Sequence, residues 1–463
     1  MVNPEPEVGV SWCKFPAMLS DTIAALATPP GRSALAVIRV SGTGAFAVAA
    51  GVIEGFRTDR PRVALLATFR SAAGDRIDRG LYTVFPGPGS YTGEDLVEVS
   101  CHGGLLAPAR LLSALHGAGA RPAAPGEFTR RAVLNGKLDL VQAEAVGDLI
   151  DATAPAQARA ALRQLDGDLS RRLAALRESL LETQALLSYE IDFPGEDDGP
   201  VPPERIIEKL QSVRSQIDRL LASAPSAERL RAGAVLVLAG RPNVGKSSLF
   251  NALLGTDRAL VTELPGTTRD AIEAHTDFLD WPVRLVDTAG LWDSPDRIDR
   301  MGIEMSRRYL QAADLVLLCV ETGRDAAEDE RAIPAQRPTI VVRTKSDLAD
   351  ARTSAPPDGA LAVSVITGAG LGELRRAVAE RVFADRIALA DLEPALTRDR
   401  HRVALVRAQT ALAEARTHLD PGSDAVLASH HVREATSALE ELLGVVDVEE
   451  VLDRVFGSFC VGK

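Results

Sequence analysis

The chain has 463 residues, 46% of them hydrophobic and 25% charged, with a formal net charge of −12. That size admits several domains of roughly 100–200 residues, and the composition excludes a disordered chain. The charge excludes a strongly basic nucleic-acid coat, because bulk affinity for phosphate comes from Lys and Arg; a local basic patch still suffices for a transient RNA substrate.

Cys13, Cys101, Cys319 and Cys460 form no C-x-x-C pair, which argues against a disulfide framework or zinc site and fits a reducing, cytoplasmic setting. No apolar run approaches the ~20 residues of a membrane span. Residues 1–20 carry Pro4, Glu5, Pro6 and Glu7 without a basic start, and read as an unstructured tail rather than a secretory signal. Between Asp21 and Gly136, apolar runs such as Ala34–Val40 and Leu96–Val99 are broken by Thr28-Pro29-Pro30-Gly31 and Phe85-Pro86-Gly87-Pro88-Gly89. This predicts strands with tight turns and a helix near Leu105–His116, an α+β unit. Ala-Leu-rich stretches follow from Leu138 to Tyr189, where Leu162, Leu165, Leu169, Leu173 and Leu176 recur at helical steps. The acidic, Pro-rich stretch 194–203 breaks this pattern, and a helix over Glu204–Ala222 is expected next. From Ala234, β-rich runs at Val235–Leu238, Val283–Val286, Leu315–Val320, Thr339–Val342 and Leu361–Val363 alternate with helical segments, which implies a mostly parallel α/β sheet. After Asp385 long Ala-Leu-Arg helices return, ending in Asp447–Val455. Helical material on both sides of an α/β unit suggests insertion. The expected organisation is a tail (1–20), an α+β domain (21–136), a helical part (137–230), an α/β domain (231–385) and a second helical part (386–463).

Four motifs in the α/β unit point to a nucleotide. Gly240-Arg-Pro-Asn-Val-Gly245-Lys246-Ser247 follows an apolar strand and precedes a helix-forming run, Ser248–Leu254. Glycines let backbone N–H groups close on phosphate oxygens, Lys246 reaches the outer phosphates, and the Ser247 hydroxyl is a Mg²⁺ ligand. Asp287-Thr288-Ala289-Gly290 follows a second strand; its Asp can hold Mg²⁺ through water and its Gly can meet the γ-phosphate. Thr344-Lys345-Ser346-Asp347 ends a third strand, where a carboxylate can accept two N–H groups from guanine, and Ser364 ends a fourth. Gly266-Thr267-Thr268-Arg269-Asp270 offers a hydroxyl to complete a Mg²⁺ shell. The ordered series favours GTP over ATP.

These residues, together with Asp21-Thr22-Ile23, Tyr91-Thr92-Gly93-Glu94-Asp95, Pro125-Gly126-Glu127-Phe128-Thr129-Arg130-Arg131-Ala132, Asn135-Gly136-Lys137-Leu138-Asp139-Leu140 and the terminal Phe459-Cys460-Val461-Gly462-Lys463, closely resemble the MnmE (TrmE) family of tRNA uridine-modification GTPases. The resemblance runs from about Asp21 to the end. It implies a P-loop GTPase domain inserted into a helical domain, preceded by a folate-binding α+β domain that also makes a homodimer. It implies a K⁺-stimulated GTP hydrolase. With an MnmG-type flavoprotein that uses FAD and NADH, in a heterotetramer, it would install aminomethyl or carboxymethylaminomethyl groups on the wobble uridine of tRNA. A 5-formyl- or methylene-tetrahydrofolate would supply the one-carbon unit.

By the same resemblance GTP would contact Asn243, Val244, Gly245, Lys246, Ser247, Ser248, Thr262, Glu263, Leu264, Pro265, Gly266, Thr267, Thr268, Asp287, Thr288, Ala289, Gly290, Thr344, Lys345, Ser346, Asp347, Ser364, Val365 and Ile366. Mg²⁺ would sit on Ser247 and Thr268, and K⁺ on Asn243, Thr262, Leu264 and Thr267. Folate would use Arg39, Glu98, Lys137 and Lys463, with Cys460 nearby in the tail. Asp299 would be the catalytic carboxylate, one methylene shorter than the family's glutamate, which predicts slower hydrolysis. Thr344 in place of the usual Asn predicts a lost tie between base loop and P-loop and weaker GTP binding; Val365 for Ala and Leu264 for Ile keep the backbone groups. A ribosome-assembly GTPase is disfavoured by the helical C-terminal part and its Cys-containing tail. A GTP-binding scaffold with weak hydrolysis is the other reading, prompted by Asp299 and Thr344.

Overall fold

The computed structural model describes residues 21–192, 203–255, 272–287, 308–326, 328–348, 359–389, 396–419, 424–445, 452, 455–457 and 459–462. The chain divides into two compact units: residues 1–147, 169–210 and 410–463, and residues 148–168 and 211–409.

The first unit opens with β1 (Ile23–Leu26), β2 (Leu35–Ser41), α1 (Ala45–Ala50), β3 (Leu65–Arg70), β4 (Arg76–Phe85), β5 (Leu96–His102), α2 (Leu106–Gly117), β6 (Arg121–Pro122) and α3 (Glu127–Leu134). Its six strands lie in the order β3-β4-β5-β2-β1-β6, antiparallel except for the β1–β6 pair. Side chains alternate faces along a strand. Ile38, Val40, Val97 and Val99 therefore pack with Leu111 and Leu115 of α2 on one face. Ile23 and Ala25 meet Phe128 of α3 on the other. On that second face Arg39 lies directly opposite Glu98 and Ala25 in the neighbouring strands.

Helices α4 (Leu140–Asp151), α5 (Pro155–Leu165), α6 (Asp168–Asp192) and α7 (Pro203–Ala232) follow. The leucine stripe expected to run through one helix from Leu162 to Leu176 is divided between α5 and α6. Gly167 (φ 86°) turns the chain between them, leaving Leu162 47% exposed while Leu169, Leu173 and Leu176 are buried. Helix α7 runs ten residues beyond the expected Ala222, through Pro225.

The second unit contains β7 (Ala234–Ala239), α8 (Lys246–Leu254), β8 (Ile272–Phe278), β9 (Trp281–Asp287), β10 (Leu315–Glu321), α9 (Glu328–Gln336), β11 (Thr339–Thr344), β12 (Leu361–Ala362) and α10 (Leu371–Leu389). The strand order is β12-β11-β10-β7-β9-β8, parallel throughout except for β8 against β9. Strand β8 was absent from the sequence expectation. It closes on β9 through Leu279 and Asp280, both at positive φ (51° and 74°), a tight hairpin turn made without its usual glycine. The chain continues through α11 (Asp399–Thr417) and α12 (Ala425–Leu443). Within the first unit, α6 and α12 are joined by Arg177–Glu440 (2.7 Å) and Gln184–Thr436 (2.9 Å). Within the second, Arg398 pairs with Asp148 at 2.7 Å and Arg231 donates to the Thr397 carbonyl at 2.9 Å. The helix expected over Asp447–Val455 lies largely outside the described residues.

Candidate functional site

Strand β7 is buried along its whole length and delivers the chain to Gly240. A Cβ on Gly240 would lie 2.3 Å from the Cys319 carbonyl oxygen, and its φ is 136°, so only glycine turns off the strand here. Asn243 (φ 64°) and Gly245 (φ 97°) are also left-handed, and the chain then enters α8 at Lys246. A turn of this kind opening a helix is an anion cradle, because its amides converge and the helix adds partial positive charge. Lys246 is 3% exposed, and its Nζ donates to the carbonyls of Gly240 and Arg241 at 2.8 Å each. Ser247 and Ser248 are exposed at the first turn of α8. Asp287 is buried at the end of β9, in register with Leu238 of β7. Beneath the loop the Cys319 thiol is fully buried and pushed up to about 12 by loss of solvent, so it packs as a neutral group.

The base-recognition residues are tied to this loop. The Thr344 hydroxyl donates to the Val244 carbonyl at 2.6 Å. This corrects the expectation that replacing Asn would cut the tie: a β-hydroxyl on the last residue of β11 reaches the P-loop by itself. Lys345 Nζ donates to the Asn243 carbonyl at 3.0 Å and lies 3.5 Å from Glu321. Ser364 Oγ donates to Asp347 Oδ1 at 2.6 Å and receives the Thr367 amide at 3.2 Å, so the hydroxyl orients the carboxylate. Ser346 N–H reaches the Val363 carbonyl at 3.2 Å, while Ile366 is 83% exposed.

In the first unit Arg39 Nε donates to Glu98 Oε1 at 2.9 Å, and its guanidinium lies 5.6 Å from the centroid of Tyr91. Burial pushes the Tyr91 phenol up, although its hydroxyl shares a 2.9 Å bond with Thr129. Lys137 Nζ is held on the Pro88 carbonyl at 3.1 Å. The tail returns to this unit: Val461 bridges Pro125, and a Cβ on Gly462 would lie 2.1 Å from the Leu26 carbonyl oxygen. Cys460 opens onto a cavity of about 460 Å³ with Ala25, Leu26, Thr28, His116 and Ala123 among its walls; Arg39, Glu98 and Lys137 do not line it.

A profile of the MnmE helical domain matches residues 140–460, and a profile of the GTP-binding protein TrmE N-terminus matches residues 22–137. The tRNA modification GTPase MnmE of Moorella thermoacetica is 40% identical over 96% of this chain and 100% of its own length. That of Paramagnetospirillum magneticum is 42% identical, with 96% of this chain and 100% of the relative covered. The chain belongs to the MnmE family. Among solved structures, the G domain of the T. maritima FeoB iron transporter is 28% identical over 32% of this chain and 98% of its own, with a TM-score of 0.27.

Several residues of the expected MnmE-family site lie outside the described residues: Thr262–Thr268, Thr288, Ala289, Gly290, Asp299 and Lys463. Of the described remainder, Asn243, Val244, Thr344 and Lys345 are joined by hydrogen bonds between the two loops, and Ser364 is bonded to Asp347. Two supports were missed by sequence reasoning. Glu330 of α9, 6% exposed, accepts the Arg241 amide of the P-loop at 2.9 Å; a lone Glu some ninety residues downstream carries no motif that could reveal it. Arg131 is fully buried and donates to the Asp21 carbonyl (2.9 Å), Asp21 Oδ1 (2.8 Å), Glu94 (3.1 Å) and Glu127 (3.0 Å). It lies inside the family segment Pro125–Ala132, where sequence alone marks no role for it. Burial pushes the Asp21 and Glu127 carboxyls up. Hydrogen bonds from Arg121 and Arg131 outweigh this and hold both below the usual carboxylate range. Among the described residues, no helix is long and apolar enough to cross a membrane.

The donor chemistry fits the groups that the MnmE family implies. Ser247 presents a hydroxyl at the mouth of the P-loop, and Asp287 brings a carboxylate to the adjacent strand end. In the first unit Arg39 is paired with Glu98 and Lys137 with the Pro88 carbonyl, so a folate would have to exchange for these contacts.

Proposed function

We propose that this chain hydrolyses GTP to GDP and phosphate during modification of the wobble uridine of tRNA, acting as a homodimer with a flavoprotein that carries FAD and NADH. The relatives share the name tRNA modification GTPase MnmE. The observation that carries the reading is the union of phosphate loop and base loop: Thr344 bonds Val244, Lys345 bonds Asn243, and Ser364 orients Asp347. Lys246 exchanges its loop carbonyls for the outer phosphate oxygens, and the amides of 243–248 bind the remainder. Asp347 accepts two guanine N–H groups, which an adenine edge lacks. Asp299 orients the attacking water through its carboxylate. Ser247 and Thr268 would hold Mg²⁺, and Asn243, Thr262, Leu264 and Thr267 would hold K⁺, ions that supply counter-charge to the polyphosphate. Arg39, Glu98, Lys137 and Lys463 would hold the folate.

GTP turnover by the full chain, measured in K⁺ and in Na⁺, tests this. Faster hydrolysis in K⁺ is expected, with a loss of roughly 10²–10³-fold in Lys246→Ala, the cost of one donor aimed at developing charge. Intact GDP binding without turnover in either salt would reduce the protein to a nucleotide-binding scaffold. Absence of guanine-nucleotide binding would remove the reading altogether.

A further inference from the structure

The helices that close the described part of the first unit carry a group of side chains that neither the nucleotide site nor the sheet site uses. His430, His431 and Glu434 lie on α12, and their candidate ligand atoms are all within 4.8 Å of one another. On a helix, positions i and i+4 and positions i and i+3 share a face, so Glu434 projects between the two imidazoles. His431 Nδ1 lies 2.9 Å from Glu434 Oε2 and 3.3 Å from Glu414 Oε2 on α11. His430 Nε2 lies 3.7 Å from Glu434 Oε1. The His418 ring stacks on that of His431, with centroids 5.6 Å apart and planes 11° from parallel, which sets the orientation of the imidazole.

A salt bridge alone accounts poorly for this geometry. One proton on His431 Nδ1 serves one carboxylate, yet two converge on that atom, and a second imidazole faces the other oxygen of Glu434. We propose that His430, His431, Glu434 and Glu414 form a metal site that clasps α11 to α12 and takes a borderline divalent ion of the Zn²⁺ class. Bonds of about 2.0–2.2 Å to nitrogen and oxygen place tetrahedral ligands about 3.3–3.6 Å apart. The His431–Glu434, His431–Glu414 and His430–Glu434 separations of 2.9, 3.3 and 3.7 Å lie near that range, the first and last through different oxygens of Glu434; Glu414 reaches the group through His431 alone. Two imidazoles with two carboxylates favour Zn²⁺, Co²⁺, Ni²⁺ or Cu²⁺ over the hard, all-oxygen preference of Mg²⁺. The site is thus chemically distinct from the one expected beside GTP. All four ligands lie in one unit, so metal bound to the folded state stabilises that unit by mass action.

The test is a Co²⁺ titration of the full, chelator-stripped, nucleotide-free chain, followed by visible absorption and by Zn²⁺ back-titration. The expected result is one equivalent of tetrahedral Co²⁺ without a sulfur charge-transfer band, displaced by Zn²⁺ but not by Mg²⁺. The double variant His430→Ala/His431→Ala loses that equivalent. Glu414→Gln, which keeps size and polarity, weakens binding roughly 10–100-fold. Circular dichroism confirms that both variants fold. Absence of tetrahedral Co²⁺, unchanged stoichiometry in the double variant, or unchanged affinity in Glu414→Gln each overturns the proposal.

Discussion

The two six-stranded sheets carry their functional groups in opposite ways. The mostly parallel sheet builds its site from backbone: a turn that only Gly240 can make, a left-handed Gly245, and side chains such as Thr344 and Lys345 that grip loop carbonyls. The mostly antiparallel sheet presents charged side chains: the Arg39–Glu98 cross-strand pair on its face, and in the same unit Arg131 of α3, whose terminal nitrogens meet three carboxylates. Backbone-built sites tolerate polar replacement where a hydroxyl or amide can reach the same carbonyl. Side-chain-built sites do not, because a buried charge left without its partner has no second source of compensation.

The largest expected effect breaks that comparison if it fails. Arg131→Met removes the fully buried guanidinium, leaves Glu94 (13% exposed) with the Ser41 hydroxyl but without its arginine, and takes one of the two arginines from Glu127 (7% exposed). Breaking such a network costs about 3–5 kcal/mol. Urea unfolding of the full chain should show that loss in the transition that reports the first unit, with GDP affinity unchanged, since separate sites with no shared partners add independently. A variant as stable as the parent would show that the carboxylates find other partners and that the network is not a keystone.

Thr344 sharpens the other half. Thr344→Val keeps the branched shape but removes the hydroxyl that reaches Val244. The unpaired carbonyl costs about 1–3 kcal/mol. Calorimetry with GDP should therefore record affinity lower by about thirtyfold at the middle of that range. Thr344→Asn should bind at least as well as the parent. Equal affinity for Thr344→Val would mean that the tie is incidental to the nucleotide.

The same contrast explains what was legible in the sequence. A strand–glycine turn–helix has few solutions, so Gly240, Gly245, Lys246 and Ser247 announced their chemistry from spacing alone. Arg39 and Glu98 became candidates only through family resemblance, because charges alternating along an antiparallel strand look like a solvated face until the register pairs them. Glu330 and Arg131 act across long sequence separations, and no local pattern records that. Strand β8 was missed because its hairpin with β9 turns through Leu279 and Asp280 rather than a glycine pair. The leucine stripe misled because helical spacing survives a one-glycine break: Gly167 divides it, and the periodicity does not register the turn.

The smallest effect concerns acid. Asp21 and Glu127 titrate below their ordinary values of 3.8 and 4.5, because bonds from Arg121 and Arg131 outweigh burial. A carboxyl depressed in the folded state binds fewer protons there than in the unfolded chain, so its contribution is complete above the unfolded value and is lost as pH falls through the folded one. Stability of the first unit should hold from neutral pH to about 4.5, the upper ordinary value, and then fall as the medium becomes more acidic. Arg121→Gln removes the Nε contact to Asp21 and the paired contacts to Glu127, which lets both carboxyls drift back toward ordinary values. Its stability at neutral pH should drop and its decline below pH 4.5 should be shallower, since less remains to be lost. Urea midpoints across an acid series measure that slope, and parallel curves for parent and variant would place the acid response of this unit on other groups.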